Sequence, residues 1–351
     1  MQDQNGSSPP VQAAATAKGP SITPTPIVET NFLFAQSCIL LTAVELNLFT
    51  GIAQGIQTAE QLAAYAEADA SALARLLGAL CAMGFLQQTE QGYALTPLSE
   101  RFLVRDREET YIGDVALQLR QEWDAWIHLT DVIRTGQAVR FINEEPLGGP
   151  FFRPLAKPLF PLIYPQMRRI CERLALGTRF HGTQVLDLGA GVAPGAIAAL
   201  EIDQEAHAVL VDFPEVLALA QTQAQKRDVA SRLSYWPTNL ETIELPDAIY
   251  DLVFASHVFR ILGAAITQRL IHQCYRALKP GGHLVIVETY NNPEHSEHIF
   301  RHVVSLNMLV NTRHGDTFRL QQVRRWLEEA GFQVDIWSGI GPDPILIAER
   351  P

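Results

Sequence analysis

The chain has 351 residues, 47% of them hydrophobic, and its formal net charge is −11 at pH 7. This length indicates two domains or slightly more, with enough apolar content for real cores. The acidic balance argues against a nucleic-acid partner, because phosphate binding needs concentrated Lys and Arg. No apolar run approaches the length that crosses a bilayer, and the N-terminus lacks the features of a signal peptide, so we expect no membrane partner.

The cysteines are scattered and have no metal-binding spacing. This usage is typical of small buried hydrophobic residues in a reducing compartment. We therefore expect a cytoplasmic protein without a metal site of its own. The four cysteines are Cys38, Cys81, Cys171 and Cys274.

The first 26 residues are rich in Gly, Ser, Pro, Ala and Gln, which predicts a disordered tail over residues 1–26. A first domain over residues 27–105 follows. It begins with an apolar helix that we expect to bury much of its surface. Thr58 and Gln61 form a predicted capping box at the next helix, and a leucine-striped third helix leads into a hairpin around Gly92. Three helices followed by a hairpin predict a winged helix.

The charge of this winged helix distinguishes a DNA-binding domain from a dimerisation domain. Between residues 40 and 102 the basic residues are Arg75 and Arg101, whereas the same segment contains six acidic residues. DNA binding needs the opposite balance. The pattern favours a dimerisation module with apolar helix faces.

Residues 106–180 are predicted to be a helical linker that also supplies part of a substrate pocket. Within it, residues 144–165 contain many prolines and aromatic residues, which predicts a loop that covers something apolar. Another helix is expected over residues 166–176.

Residues 181–351 alternate strands and helices, which predicts an α/β domain with a mostly parallel seven-stranded sheet. Ligand is then expected at the carboxyl ends of the strands, near the point where the strand order reverses. The predicted strands cover residues 184–188, 208–212, 233–237, 252–255, 283–288, 333–337 and 345–349.

A small-residue turn follows the first of these strands and indicates a nucleotide-type cofactor. The dinucleotide pattern G-x-G-x-x-G would need a glycine where Pro194 stands, so NAD is disfavoured. Asp187 just before the turn suits an ammonium group, and Asp212 at the end of the second strand suits a ribose diol. These features favour S-adenosylmethionine; the alternative is a tight turn and a capping Asp that bind no ligand.

From about Val28 to Arg350 the chain resembles the S-adenosylmethionine-dependent small-molecule O-methyltransferases with an N-terminal dimerisation domain. The resemblance lies in Val185-Leu-Asp-Leu-Gly-Ala-Gly, Val211-Asp-Phe-Pro, Leu278-Lys-Pro-Gly-Gly-His-Leu-Val-Ile-Val-Glu and Trp326-Leu-Glu-Glu-Ala-Gly-Phe. It implies a Rossmann-like methyltransferase domain and a homodimer formed through the N-terminal domain. The cofactor-binding residues that it implies are Asp187, Gly189, Gly191, Asp212, Phe213, Asn239, Leu240 and Ser256.

This chain lacks the histidine that serves as general base in the plant O-methyltransferases it resembles. Counting back from Cys274-Tyr-Arg-Ala-Leu, the position of the family's catalytic His falls on Arg260, which cannot act as a base at physiological pH. The supporting Glu recurs as Glu288. Either His257 or His302 replaces the base, or the nucleophile is not a hydroxyl that must lose a proton.

Arg260-Ile-Leu and the missing His are similar to the bacteriochlorophyllide C-20 methyltransferases, which methylate carbon. Under this interpretation Arg260 pairs with Glu288, holds a substrate carboxylate or carbonyl, or stabilises developing charge. The alternative is a purely structural ion pair.

A helix over residues 295–312 is predicted to cover the substrate pocket. The positions expected to contact substrate are Val304, Met308, Asn311 and Thr312, which share one face, and His302 near it. We expect a methyltransferase that acts on oxygen or carbon of a sizeable apolar or aromatic molecule. Two alternatives are an idle homologue that binds cofactor or pigment and a winged-helix regulator, and charge disfavours the regulator.

Overall fold

The computed structural model describes residues 22–292, 298–339 and 341–351. The predicted tail therefore lies mostly outside the described residues. A helix already begins at Thr25, inside the range expected to be tail.

The N-terminal domain consists of helices and one hairpin, and it has four helices before the hairpin where the sequence predicts three. Helix α3 begins with the predicted capping box, in which the Thr58 side chain accepts from the backbone N–H of Gln61. The Asp69 carboxylate caps α4 in the same way. The apolar faces of these helices pack into one core with β1. The elements are α1 (Thr25–Glu45), α2 (Leu48–Ala53), α3 (Ala59–Tyr65), α4 (Ala70–Ala82), β1 (Leu86–Thr89), β2 (Gly92–Leu95) and α5 (Pro97–Phe102).

Helix α1 is far more exposed than expected. Within the single chain it buries only Leu41, Ala43 and Val44, all near its C-terminal end. Phe32 and Phe34 are 63% and 55% exposed. Among the described residues α1 is also the one helix long and apolar enough to cross a bilayer, judged by length and composition alone. The expectation that no apolar run has this length was wrong.

The linker contains a long helix where a loop was expected. After α6 (Leu119–Trp126) and α7 (Leu129–Thr135), helix α8 runs unbroken over Gly148–Arg173. Its prolines at 154, 158, 161 and 165 are spaced by four, three and four residues, so they lie on one helix face. The backbone hydrogen bonds that they remove therefore lie on that side too. The carbonyl groups that lose their partner are those of residues 150, 154, 157 and 161, and the first three of these residues are exposed, so water can satisfy their carbonyls.

The C-terminal domain is the predicted α/β sheet of seven strands. The strand order is β5-β4-β3-β6-β7-β9-β8, in which β9 runs antiparallel to both of its neighbours and the other pairs are parallel. The strands are β3 (Gln184–Leu188), β4 (His207–Asp212), β5 (Leu233–Pro237), β6 (Tyr250–Ser256), β7 (Leu278–Val287), β8 (Gln333–Trp337) and β9 (Ile345–Glu349).

Helices cover both faces of this sheet and form two apolar cores. Strand β3 is an interior strand that lies between β4 and β6, where the strand order reverses. Its apolar residues are fully buried because both faces of the sheet are covered. The carboxyl ends of β3, β4 and β6 therefore form one crevice. The helices are α9 (Pro194–Ile202), α10 (Pro214–Lys226), α11 (Phe259–Leu262), α12 (Ala264–Ala277), α13 (Ile299–Asn311) and α14 (Leu320–Glu329).

Candidate active site

The turn after β3 is built for a close ligand. Gly189 and Gly191 have φ angles of +62° and +59°, which L side chains rarely adopt. A Cβ at Gly189 would lie 2.5 Å from a methyl carbon of Val258, whereas a Cβ at Gly191 would have no atom within 4 Å. Gly189 is thus required by packing, and the space beside Gly191 is open to a ligand.

Asp187 lies at the base of this turn and is 3% exposed. Its Oδ2 accepts from the backbone N–H of Ala196 at 3.0 Å, in the first turn of α9. Burial raises the pKa of Asp187 to about 7 against that hydrogen bond, and the nearby Asp212 carboxylate adds to the rise. A carboxylate in such a position gains from a cationic ligand, because an ammonium group would compensate the buried charge.

Asp212 ends β4 and holds the turn from the other side. Its Oδ2 accepts from the backbone N–H of Gly191 at 2.8 Å, and its Oδ1 accepts from that of Phe213 at 2.7 Å. Burial raises the pKa of Asp212 to about 6, although both hydrogen bonds lower it. The ring of Phe213 stacks on Phe152 of α8 at a centroid distance of 6.4 Å. Strand β4 thereby aligns a carboxylate and an aromatic wall beside the turn.

The loop after β5 carries Asn239 and Leu240, and both line the same crevice. The Asn239 Oδ1 accepts from the backbone N–H of Glu241 at 2.8 Å, and its Nδ2 donates to the carbonyl of Asn143 at 3.2 Å. The amide of Asn239 therefore already orders its own loop. Ser256, at the end of β6, also lines the crevice, and its buried Oγ has no hydrogen-bond partner among the described residues.

Glu288 binds both the side chain and the backbone of Arg260. Its Nη1 donates to Glu288 Oε2 at 2.8 Å, and its backbone N–H donates to Glu288 Oε1 at 3.3 Å. Glu288 is 3% exposed and also accepts from the backbone N–H of Thr289. Glu288 is buried and Arg260 is half-buried, so breaking this pair would leave an uncompensated charge on the buried carboxylate.

His257 completes this cluster in a defined tautomer. Its Nδ1 lies 2.7 Å from Nη1 of Arg260. A guanidinium can only donate, so Nδ1 is the acceptor and the proton of the neutral ring is on Nε2. Burial, aided by the Arg260 charge, lowers the pKa of His257 to about 3. At neutral pH the ring is uncharged and its Nδ1 lone pair is occupied, so this nitrogen is not a free base.

One cavity of about 1010 Å³ joins the turn, the loops and the Arg260 cluster. Val304 and Met308 of α13 line it. Asn311 and Thr312 do not, contrary to the prediction, because their side chains point into hydrogen bonds elsewhere. Asn311 donates to Glu122, and Thr312 donates to the carbonyl of Met308.

His302 also lies outside the residues that line the cavity in the described part of the chain. The predicted lid helix begins at Ile299, and residues 295–297 of that prediction lie outside the described residues.

A polar network at the top of the cavity was not predicted. The Glu122 carboxylate of α6 accepts from Asn311 at 2.8 Å and from Gln118 at 3.0 Å. Trp126 Nε1 donates to Asn307 Oδ1 at 2.9 Å, and both of these residues line the cavity with Glu122. The Glu122–Asn311 and Trp126–Asn307 contacts span 189 and 181 positions of sequence, so no local pattern indicates them. Glu122, Trp126, Asn307 and Asn311 thus join the linker to α13.

Comparisons with known proteins give the chain its family. A model of the O-methyltransferase dimerisation domain matches residues 28–105, and a methyltransferase domain model matches residues 163–335. The chain belongs to the S-adenosylmethionine-dependent O-methyltransferase family. It is therefore a methyltransferase, and its cofactor is S-adenosylmethionine. The predicted family, enzyme class, fold and cofactor are confirmed.

Among the relatives is the tetracenomycin polyketide synthesis 8-O-methyl transferase TcmO of Streptomyces glaucescens. It is 27% identical over 340 residues, which cover 93% of this methyltransferase and 97% of TcmO. An O-methyltransferase family protein from Burkholderia thailandensis shares the fold with a TM-score of 0.79 at 23% identity, covering 94% and 98% of the two chains. Human N-acetylserotonin methyltransferase in complex with S-adenosylmethionine has a TM-score of 0.78 at 20% identity, covering 95% and 99%.

The chemistry of the crevice fits this cofactor. Gly191 leaves open space beside the turn. Within the described residues, no cation compensates the buried Asp187 carboxylate and the buried Ser256 hydroxyl has no hydrogen-bond partner. A sulfonium cofactor with an ammonium group and a ribose diol offers groups that match these features. We expect Asp187 toward the ammonium group and Asp212 toward the ribose.

Proposed function

We propose that this methyltransferase transfers a methyl group to oxygen or carbon of a sizeable apolar or aromatic small molecule, without a histidine general base. The observation that carries the proposal is the Arg260–Glu288–His257 cluster at the position expected for the family's base. S-adenosylmethionine supplies the methyl group and its own leaving group when it is bound. The protein must then align the nucleophile and, for a hydroxyl, favour its ionised form.

The cluster supports a role in holding an ionised or electron-rich nucleophile. Arg260 stays cationic, and its Nη2 makes no hydrogen bond within the described residues. His257 presents an Nε2–H donor in the same cavity, because its Nδ1 is occupied. Together they supply donors and positive charge but no proton acceptor. Such a site lowers the pKa of a bound phenol or enol, since an opposite charge favours the ionised form.

The cavity supports the substrate class. Its volume of about 1010 Å³ is at the upper end of small-molecule sites, and it must hold both cofactor and acceptor. Aromatic residues of α8 and the apolar face of α13 form its walls. TcmO is named for O-methylation in polyketide synthesis, which favours oxygen as the acceptor atom. The similarity to bacteriochlorophyllide C-20 methyltransferases favours carbon, and it stays a prediction.

We further propose that the enzyme works as a cytoplasmic homodimer. The dimerisation domain matches residues 28–105, and the exposed apolar side chains of α1 lie in this region. Large exposed apolar patches of this kind mark interaction sites. A second copy of the chain would cover them.

The test of the proposal uses acceptors whose hydroxyl groups differ in acidity. Purified enzyme is incubated with S-adenosylmethionine and phenols, naphthols or hydroxyquinones spanning several units of pKa, and products are followed by mass spectrometry. We expect the wild type to favour the most acidic hydroxyls or carbon nucleophiles. Arg260→Ala should lower turnover at least 100-fold while S-adenosylhomocysteine affinity changes less than about twofold. Arg260→His should extend activity to weakly acidic phenols.

Arg324→Ala is the matched control, since Arg324 forms an exposed pair with Glu328 on α14. Full activity of Arg260→Ala, or equal rates on weakly and strongly acidic phenols in the wild type, would contradict the proposal. The second candidate is an idle homologue that binds cofactor or pigment, which the absent base favours. Tight S-adenosylhomocysteine binding with no product from any acceptor would support it.

A further inference from the structure

Asn143 carries a buried acceptor that no residue of the described chain uses. It lies in the turn before α8, is 4% exposed and lines the cavity. Its Nδ2 donates to the Glu241 carboxylate, and its backbone carbonyl accepts from Asn239. Its Oδ1 is buried and has no hydrogen-bond partner among the described residues. Buried polar groups are nearly always paired, so this acceptor needs an explanation.

The orientation of the Asn143 amide follows from its neighbour. An ionised carboxylate only accepts, so the atom that faces Glu241 must be the NH₂ group. The oxygen is then the atom left over. An acceptor in this place calls for a ligand with an N–H or O–H donor.

The location of Asn143 identifies the donor. Along the sheet edge the turn of β3 comes first, Asp212 of β4 second and the loop after β5 third. A cofactor with its ammonium group at Asp187 and its ribose at Asp212 brings its base to that third position. Asn143 is fastened there by both Asn239 and Glu241. The Oδ1 of Asn239 already accepts a hydrogen bond from the backbone N–H of Glu241.

We propose that Oδ1 of Asn143 accepts a hydrogen bond from the exocyclic amino group of the adenine of S-adenosylmethionine. The residue that recognises the base is then supplied by the linker, outside the methyltransferase domain. Asn239 acts as a positioning residue that holds Asn143 through its carbonyl.

Isothermal titration calorimetry tests this with S-adenosylhomocysteine and with its analogue in which hydrogen replaces the 6-amino group of the purine. The wild type should bind the amino form about 3- to 10-fold more tightly, the range of one neutral hydrogen bond. Asn143→Ala should lose that preference by weakening the amino form alone. Asn239→Ala, which loosens the same loop, should keep part of that preference, and Arg324→Ala on the exposed face of α14 is the control that should leave both affinities unchanged.

Two outcomes would overturn the proposal. The wild type could bind both ligands equally, a result that needs no variant and holds even if Asn143→Ala does not fold. The preference for the amino form could instead disappear in Asn239→Ala and persist in Asn143→Ala, which would assign the contact to Asn239.

Discussion

Replacing Asp187 by Asn should stabilise the cofactor-free enzyme and abolish cofactor binding. Burial raises the pKa of this carboxyl from 3.8 to about 7, so ionising it in the folded state is costly. At about 1.4 kcal/mol for each unit of pKa, the cost is about 4 kcal/mol above pH 7. Asn keeps an oxygen that can accept from the Ala196 N–H. One unpaired amide N–H would offset about 1–2 kcal/mol of the gain.

The pH dependence of this gain distinguishes charge from packing. Between pH 4 and 7 the folded state binds a proton at Asp187 that the unfolded state releases, so wild-type stability falls as pH rises through this window. The cost of the carboxylate is about 4 kcal/mol at pH 8 and less than about 2 kcal/mol at pH 5. The advantage of Asp187→Asn should shrink accordingly on acidification.

Urea denaturation at fixed protomer concentration, from pH 5 to pH 8, measures the difference. Asp203→Asn is the control, because Asp203 is equally buried in the same domain with the opposite shift. Burial raises the pKa of Asp203, but hydrogen bonds from Thr183, Glu205 and Gly182 outweigh it and leave the pKa lowered. Asp203→Asn should therefore destabilise at pH 8. If Asp187→Asn is less stable than the wild type at pH 8, or its difference does not change with pH, the reasoning is refuted.

Three further predictions follow from the site and from α1. At saturating cofactor, kcat/KM for the acceptor should show no ionisation of His257 between pH 6 and 8, because its pKa is about 3; an inflection near 6.5 that disappears in His257→Gln would contradict this. Phe34→Asp should shift the dimer to monomer in light scattering, whereas Leu98→Asp, equally exposed on α5, should not. Glu122→Gln should raise the acceptor KM and lower stability by about 1–3 kcal/mol in urea, with S-adenosylhomocysteine affinity unchanged.

The sequence predicted the sheet well because its signals are local. Strands 184–188, 233–237, 333–337 and 345–349 were placed with the bounds that the structure has, since each is a short segment with apolar or aromatic residues, either continuous or alternating with polar ones. The cofactor turn was also found from a local signal, a run of small residues directly after a strand.

The part of α8 before residue 166 was missed because single-residue rules treat every proline as a helix breaker. Here the prolines fall on one helix face, and the carbonyl groups that they leave unpaired belong mostly to exposed residues. The site was predicted only where a motif carries it: Arg260 and Glu288 come from aligned motifs, and the structure brings them together. Glu122 and Asn143 act through contacts across long stretches of chain, so no spacing indicates them.

Helix α8 also has a consequence for how this protein can be divided. The methyltransferase domain model begins at residue 163, inside a continuous helix that runs from residue 148 to 173. Residues of α8 on both sides of that boundary line the cavity, and the helix packs on α9, which follows the cofactor turn. One continuous helix thus lines the cavity and packs beside the cofactor turn. A chimera joined at residue 163 would connect the first part of α8 from one relative to the second part from another. Chimeras made to exchange acceptor specificity between relatives should therefore be joined before residue 148.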